Sequence, residues 1–426
     1  MLNADRETSS LPQVDAAAHH RRMEEVSAFG GGADGSMNRL TLSDADRQAR
    51  DWLAAWMKRM GLRVEIDGIG NMYGYLEWAG PDAPLIMTGS HIDSQPNGGR
   101  FDGAYGVVAA CSAVEAIQQK VASERVTPKA NFVVVNWTNE EGARFQPSLL
   151  GSGVNAGEHT LEFALARKDG NGISVAEALR KIGYAGTSGR VVPDALIELH
   201  IEGSSHLEKA GLRFGAFDRF WGATKYRLAF LGRQAHTGPT PMAERKDALL
   251  AAAYLIADLR AIADEGGLEL HTSVGRLEVY PNSPNIVPAE AVLFIELRSP
   301  DPALLQTAED KMKARIAEAA GKAGVDYEVR SIDRRKAGPF DAGLYKLAEE
   351  TAAALGHETL RLSSVGGHDA ISMLAVTPAL VMVVPSVGGA IHHPSEFTTP
   401  EDRLLGVEVL AGMLWRFCRQ GDVLKS

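Results

Sequence analysis

The chain has 426 residues, more than one hydrophobic core usually organises, so two domains are expected. Hydrophobic residues make up 45% and charged residues 23%, the balance of an ordinary globular protein. The net charge of −10 argues against nucleic acid and anionic membranes as principal partners, because both select for clusters of Lys and Arg.

The N-terminal stretch Met1 to Gln13 is polar, lacks the apolar segment of a secretory signal and is expected to be frayed. No apolar run approaches the ~18 residues that a transmembrane helix needs. Cys111 and Cys418 each sit in an apolar, helix-like stretch. Buried free thiols, consistent with a reducing cytoplasm, are expected there rather than a disulfide. Ala16 to Phe29 reads as a helix that stops at Gly30-Gly31-Gly32. Ser43 followed by Asp44 and Asp46 reads as an N-cap with an acidic first turn, opening a helix that carries Ala49, Leu53, Trp56 and Met60 on one side. Val64 to Asp67, Met72 to Leu76 and Leu85 to Met87 read as strands, residues 104–120 as a helix, and Asn131 to Trp137 as a buried strand. Alternation of this kind predicts an α/β fold with a mostly parallel central sheet and helices on both faces.

The pattern changes near residue 213. Trp221 to Leu231 reads as a strand, Asp247 to Ala263 as a helix, Thr272 to Val279 and Ala291 to Arg298 as strands, Ala303 to Ala323 as a helix, and Asp326 to Arg330 as a strand. In the strand ending at Arg298, Leu293, Ile295 and Leu297 face one way while Phe294, Glu296 and Arg298 face the other. That order predicts a small α+β sandwich, residues 214–330, inserted into a first domain of residues 1–213 and 331–426. A helix at 341–355 and a strand Ala379 to Val384 return to the first pattern.

Candidate chemistry gathers at strand ends. Thr88 to Gly106 packs His91, Asp93 and Asp102 into a Gly-rich loop between a strand and a helix. Trp137-Thr-Asn-Glu-Glu-Gly142 carries Glu140 and Glu141, and Ile197 to Glu202 carries His200. Gly366-Gly-His-Asp369 and Gly388 to Glu396, with His392 and His393, follow further strands. Reactive groups in open α/β sheets lie beyond the carboxyl ends of strands. Taken singly, each motif also suits a turn or a solvated face; it is their joint occurrence that points to a metal centre. The donor set is His91, Asp102, Glu141, His200 and one of His392 and His393. Imidazole and carboxylate without thiolate suit zinc, with Mn²⁺, Co²⁺ or Ni²⁺ as substitutes. Five ligands suggest two ions with one bridging carboxylate. Asp93 is placed to orient His91. Glu140 is not expected to share an ion with Glu141, because successive strand side chains diverge, and is left free to act as general base.

These motifs together resemble the M20 metallopeptidase group. More narrowly, they resemble its hydantoinase/carbamoylase branch of N-carbamoyl-L-amino-acid hydrolases, β-ureidopropionases and allantoate amidohydrolases. The resemblance extends to Asn38 to Asp51, Gly98-Gly-Arg-Phe-Asp-Gly103, Asn139 to Phe145, Ala235 to Met242, Asn285-Ile-Val-Pro288 and Ile391 to Phe397. It implies that His91 and His200 hold one ion, Glu141 and His392 the other, and that Asp102 bridges them. It also implies that Glu140 is general base and then proton donor. His236 would stabilise an oxyanion across a dimer interface, and Asn285 and Arg298 would hold a substrate carboxylate. The inserted domain corresponds to a lid or dimerisation domain, so a homodimer is implied. One departure bears on specificity. After His200-Ile-Glu202 the branch has a glutamine that helps recognise the ureido or amide end, and this chain has Gly203. N-acyl amino acid hydrolysis, deamination, dipeptide cleavage and a non-catalytic binding role are the alternatives to ureido hydrolysis.

Overall fold

The computed structural model describes residues 11–421 and 423–424. The polar N-terminal stretch up to Ser10 therefore lies outside the described residues. The chain separates into two compact units. One holds the residues up to Asp218, Phe340–Leu362 and those from Gly367 onward; the other holds Arg219–Pro339 and Ser363–Gly366. Among the described residues no helix is long and apolar enough to cross a membrane.

In the first unit four strands run parallel, in the order Asn131–Trp137, Leu85–His91, Ala195–Ile201 and Ala379–Val384. Every residue of these strands except Leu85 is buried. Because side chains alternate between the two faces, burial throughout means that both faces are covered. This is why Phe132-Val-Val-Val135 reads as a continuous apolar run rather than an alternating one. Met72–Leu76 pairs antiparallel with Asn131–Trp137, and Arg63–Ile66 pairs antiparallel with Met72–Leu76.

The helix Ala104–Glu124 owes its position to small residues. A Cβ on Gly106 would lie 2.3 Å from the carbonyl oxygen of Leu199, so only glycine lets this helix rest on the strand that carries His200. Ser43 caps Asp44–Arg59 by accepting from Asp46 N, as its sequence predicts. The helix Val175–Ile182 opens on a reciprocal capping box of Ser174 and Glu177, a local signal that Ser174-Val-Ala-Glu177 carries in the sequence.

The second unit has four antiparallel strands in the order Asp326–Arg335, Gly222–Leu231, Glu290–Ser299 and His271–Tyr280. Two helices, Ala248–Gly266 and Pro302–Ala323, share a core with the sheet. Leu293, Ile295 and Leu297 enter that core beside Leu255, Leu259, Met312 and Ile316. Phe294, Glu296 and Arg298 are only half-buried. The strand expected to stop at Arg330 runs on to Arg335. It is an edge strand, exposed along nearly all its length, where charged side chains stay in water and also discourage pairing with another sheet.

Candidate metal centre

The four parallel strands deliver their carboxyl ends to one edge of the sheet, and all the clustered groups below belong to the first unit. His91 closes its strand, and His200 is the penultimate residue of its own. Gly103 stands at φ +64°, and a Cβ there would lie 2.3 Å from the His91 ring, so glycine is required for the Asp102 loop to pass the imidazole. Glu140 and Glu141 follow Asn139, whose φ of +58° turns the chain out of the strand. His392 itself has φ +54°.

Asp102 is the hub. Its Oδ1 lies 3.0 Å from His200 Nε2 and 3.6 Å from His91 Nε2. Its Oδ2 lies 3.0 Å from His392 Nε2, which is also 3.3 Å from Glu141 Oε2. His91, Asp102 and His200 can thus offer ligand atoms all within 4.8 Å of one another, and so can Asp102, Glu141 and His392. The two groups share only Asp102. A third group of Glu198, His200 and His368 reuses His200 and is not an independent site.

Tautomers show what these atoms await. His91 Nδ1 lies 2.9 Å from the carbonyl oxygen of Asp93, and His200 Nδ1 lies 2.9 Å from that of Ile201. A carbonyl only accepts, so both Nδ1 atoms carry a proton and both rings turn Nε2 toward Asp102, where a neutral ring offers a lone pair. The amide of Gly103 also points at His200 Nε2, 3.3 Å away. Although His392 Nε2 is near, Asp102 Oδ2 is buried without a hydrogen bond of acceptable geometry. Imidazoles and carboxylates brought this close suit a shared cation, and without one they draw protons onto the rings. Accordingly, although burial opposes it, Glu140, Asp102 and Asp93 hold the His91 imidazole well above its ordinary range. Asp102 and Glu141 likewise push His392 up to about 11 against its burial. The donor set and the orphaned oxygen fit a divalent-metal centre.

Two sequence expectations change in detail. The Asp93 carboxylate does not orient His91: it stands 3.7 Å from Nδ1, and the main-chain carbonyl of Asp93 does that work. The Asp93 carboxylate instead accepts from the amides of Glu140 and Glu141, at 3.3 and 3.4 Å, and fixes the acidic turn. Glu140 and Glu141 do diverge, but in a turn beyond the strand rather than by strand alternation. Glu140 Oε2 sits 3.4 Å from His91 Nε2, while both oxygens of Glu141 accept from Gln95. Burial pushes the Glu140 carboxyl well above its usual range, His91 opposing and Glu141, Asp369 and Asp102 adding to it.

Geometry separates the two adjacent histidines. His393 Nδ1 accepts from Ser395 N at 3.0 Å and faces Ser395 Oγ at 2.7 Å, turned to solvent. His392→Ala is expected to cost one bound ion, and His393→Ala none, as read by metal analysis after gel filtration.

Gly203 has φ +65°, and a Cβ there would meet Ile391 Cδ1 at 2.7 Å. A side chain here faces both a left-handed backbone and an occupied space. Gly203→Ala should therefore lower stability by about 1–2 kcal/mol, measured as a shift in the denaturant midpoint.

The remaining expected site residues lie in the second unit. His236 and Ile286 face each other on a two-stranded ribbon, and Thr237 N donates to the carbonyl of Asn285 at 3.1 Å, so His236 and Asn285 are neighbours there, both exposed. His236 Nδ1 accepts from Gly238 N at 3.0 Å, which leaves Nε2 as the protonated, donating nitrogen. Arg298 is already engaged, by Glu296 Oε2 at 2.8 Å and by the carbonyl of Val365.

With the geometry in place, comparison with known proteins defines the class. The sequence profile of peptidase family M20/M25/M40 matches residues 87–416. The N-carbamoyl-L-amino-acid amidohydrolase of Rhizobium meliloti is 36% identical over 388 residues, covering 91% of this chain and 92% of that protein. The allantoate amidohydrolase of Bacillus subtilis strain 168 is 31% identical, covering 92% and 96%. The crystal structure of an amidase of the hydantoinase/carbamoylase family from Burkholderia vietnamiensis superposes with a TM-score of 0.91 at 34% identity, covering 95% of this chain and 98% of that one. The chain belongs to peptidase family M20/M25/M40, a metal-dependent family, and within it to the hydantoinase/carbamoylase amidases, which are hydrolases of C–N bonds.

Proposed function

We propose that this protein is a two-metal amidohydrolase that cleaves a C–N bond of a small N-carbamoyl amino acid or a related amide acid. The observation that carries the reading is Asp102, whose two oxygens serve two separate groups of donors. His91 and His200 would hold one ion and Glu141 and His392 the other, with zinc as the expected metal and manganese, cobalt or nickel as substitutes. Bound there, the ions would supply Lewis acidity and lower the pKa of water.

The chain's own residues supply the rest. Glu140 stands beside His91 with a carboxylate that engages neither Gln95 nor the shared oxygens of Asp102. It takes the proton of the attacking water and returns it to the leaving nitrogen. The Asp93 carboxylate keeps Glu140 in place through the main chain. For the second unit we propose a lid and dimerisation role. Within it His236 donates from Nε2 to the developing oxyanion across a dimer interface, and Asn285 and Arg298 receive a substrate carboxylate. Arg298 must then exchange part of its present hydrogen bonding. A cytoplasmic homodimer completes the reading.

Gly203 removes a side chain from where the branch contacts the ureido or amide end, so acyl amino acids are the second substrate class to test. Metal-loaded protein is offered ureido acids, N-acyl amino acids and dipeptides, with ammonia and free amine as readouts. Ammonia release from ureido acids supports the proposal. Amine release from acyl amino acids alone moves the assignment to the alternative, and inertness toward every amide removes the hydrolase reading.

A further inference from the structure

Glu396 lies four residues beyond His392 and is 4% exposed. Its Oε1 accepts hydrogen bonds from two successive main-chain amides, Phe101 N at 2.8 Å and Asp102 N at 3.0 Å. Its Oε2 is buried with no hydrogen-bond partner among the described residues. The carboxylate occupies the space where a side chain at position 99 would begin: a Cβ on Gly99 would stand 2.1 Å from Cδ and 2.3 Å from each oxygen. Gly99 has no left-handed backbone to explain it, so its lack of a side chain is accounted for by Glu396. The turn that presents Glu396 is closed by its own N–H donating to the carbonyl of His393 at 2.9 Å. Phe397 stands edge-on to Phe101, with ring centroids 6.1 Å apart.

A buried carboxylate is costly to desolvate, and among the described residues this one engages two amides and no Lys or Arg. Those amides belong to the residue that bears the shared carboxylate and to the one before it. The other end of the link belongs to the loop that bears His392. We infer that Glu396 is a positioning residue whose two hydrogen bonds set the spacing between Asp102 and His392, and with it the fit of the two metal groups to each other. The inference rests on the two-ion reading above.

Wild type, Glu396→Gln and Glu396→Ala are each stripped with chelator and titrated with zinc alone. Stoichiometry comes from metal analysis, affinity from calorimetry, and thermal unfolding is recorded on the metal-free proteins. Wild type takes up two ions. Glu396→Gln keeps a carbonyl oxygen for the two amides and binds both ions like wild type. Glu396→Ala loses about 10–100-fold in affinity for at least one ion, while its metal-free unfolding temperature stays close to that of wild type. Wild-type affinity in the Ala variant, equal damage in Gln and Ala, or a metal-free Ala protein that melts far below wild type each overturns the inference. A wild type that binds fewer than two ions overturns the two-ion reading and this inference with it.

Discussion

Glu140→Gln should retain both metal ions and lose about 10²–10⁴-fold in kcat, the range that a positioned general acid–base group contributes. The substitution preserves shape and leaves His91, Asp102, Glu141, His200 and His392 untouched. It removes the one clustered carboxylate whose contact is with His91 alone rather than with a second metal group or with Gln95. KM should change little, because the loss is confined to proton transfer. The base must be ionised to act, so the wild-type rate should fall as the pH drops through the Glu140 titration, and that acid limb should flatten in the Gln variant. Burial raises this group, so the limb should lie above the ordinary carboxylate range, and bound cations pull it back toward that range. Steady-state kinetics across pH with metal analysis of the same samples checks both parts. Near-normal turnover would remove Glu140 from the base role.

Asp102→Ala should have a still broader effect, because it is the residue common to both groups of donors. Losing an outer partner of a metal ligand typically costs about 10–100-fold in affinity; losing a shared ligand should cost more, and at both positions at once. The expected result is a folded protein with less than one ion per chain and no measurable hydrolysis. Metal content and circular dichroism on the same preparation test this. Two ions retained at full affinity would mean that the Asp102 carboxylate does not link the two groups. His392→Ala, by contrast, should empty only one position, so the two variants together distinguish a shared ligand from an ordinary one.

The sequence carries much of this centre because the donors sit where strands end, and strand ends in a parallel sheet are marked by apolar runs meeting Gly-rich loops. That rule picks out His91, Glu140, Glu141 and His200. Other parts depend on contacts that no local pattern encodes. His392 and His393 are equivalent as residue types; the family resemblance favours His392, and it is His392 whose Nε2 lies 3.0 Å from Asp102 Oδ2. Asp93 was expected to act through its carboxylate, yet the imidazole meets its carbonyl, and main-chain groups look the same in every sequence. Nothing local marks Glu396 within the motif Ile391 to Phe397, because its partners are amides on a loop nearly three hundred residues earlier. In the second unit, alternation in Ala291 to Arg298 marked the core face. The extension of Asp326–Arg335 past Arg330 leaves no apolar alternation in the sequence, because an exposed edge strand does not need an apolar face.

The central claim is that two ions held around Asp102 make this chain a hydrolase of ureido or related amide bonds. The most direct measurement is ammonia release from an N-carbamoyl amino acid by chelator-stripped protein as zinc or manganese is added back in known equivalents. The account predicts no activity at zero metal, and a rise that saturates at two equivalents per chain. Activity that survives complete metal removal, or that saturates at a single equivalent, would contradict it.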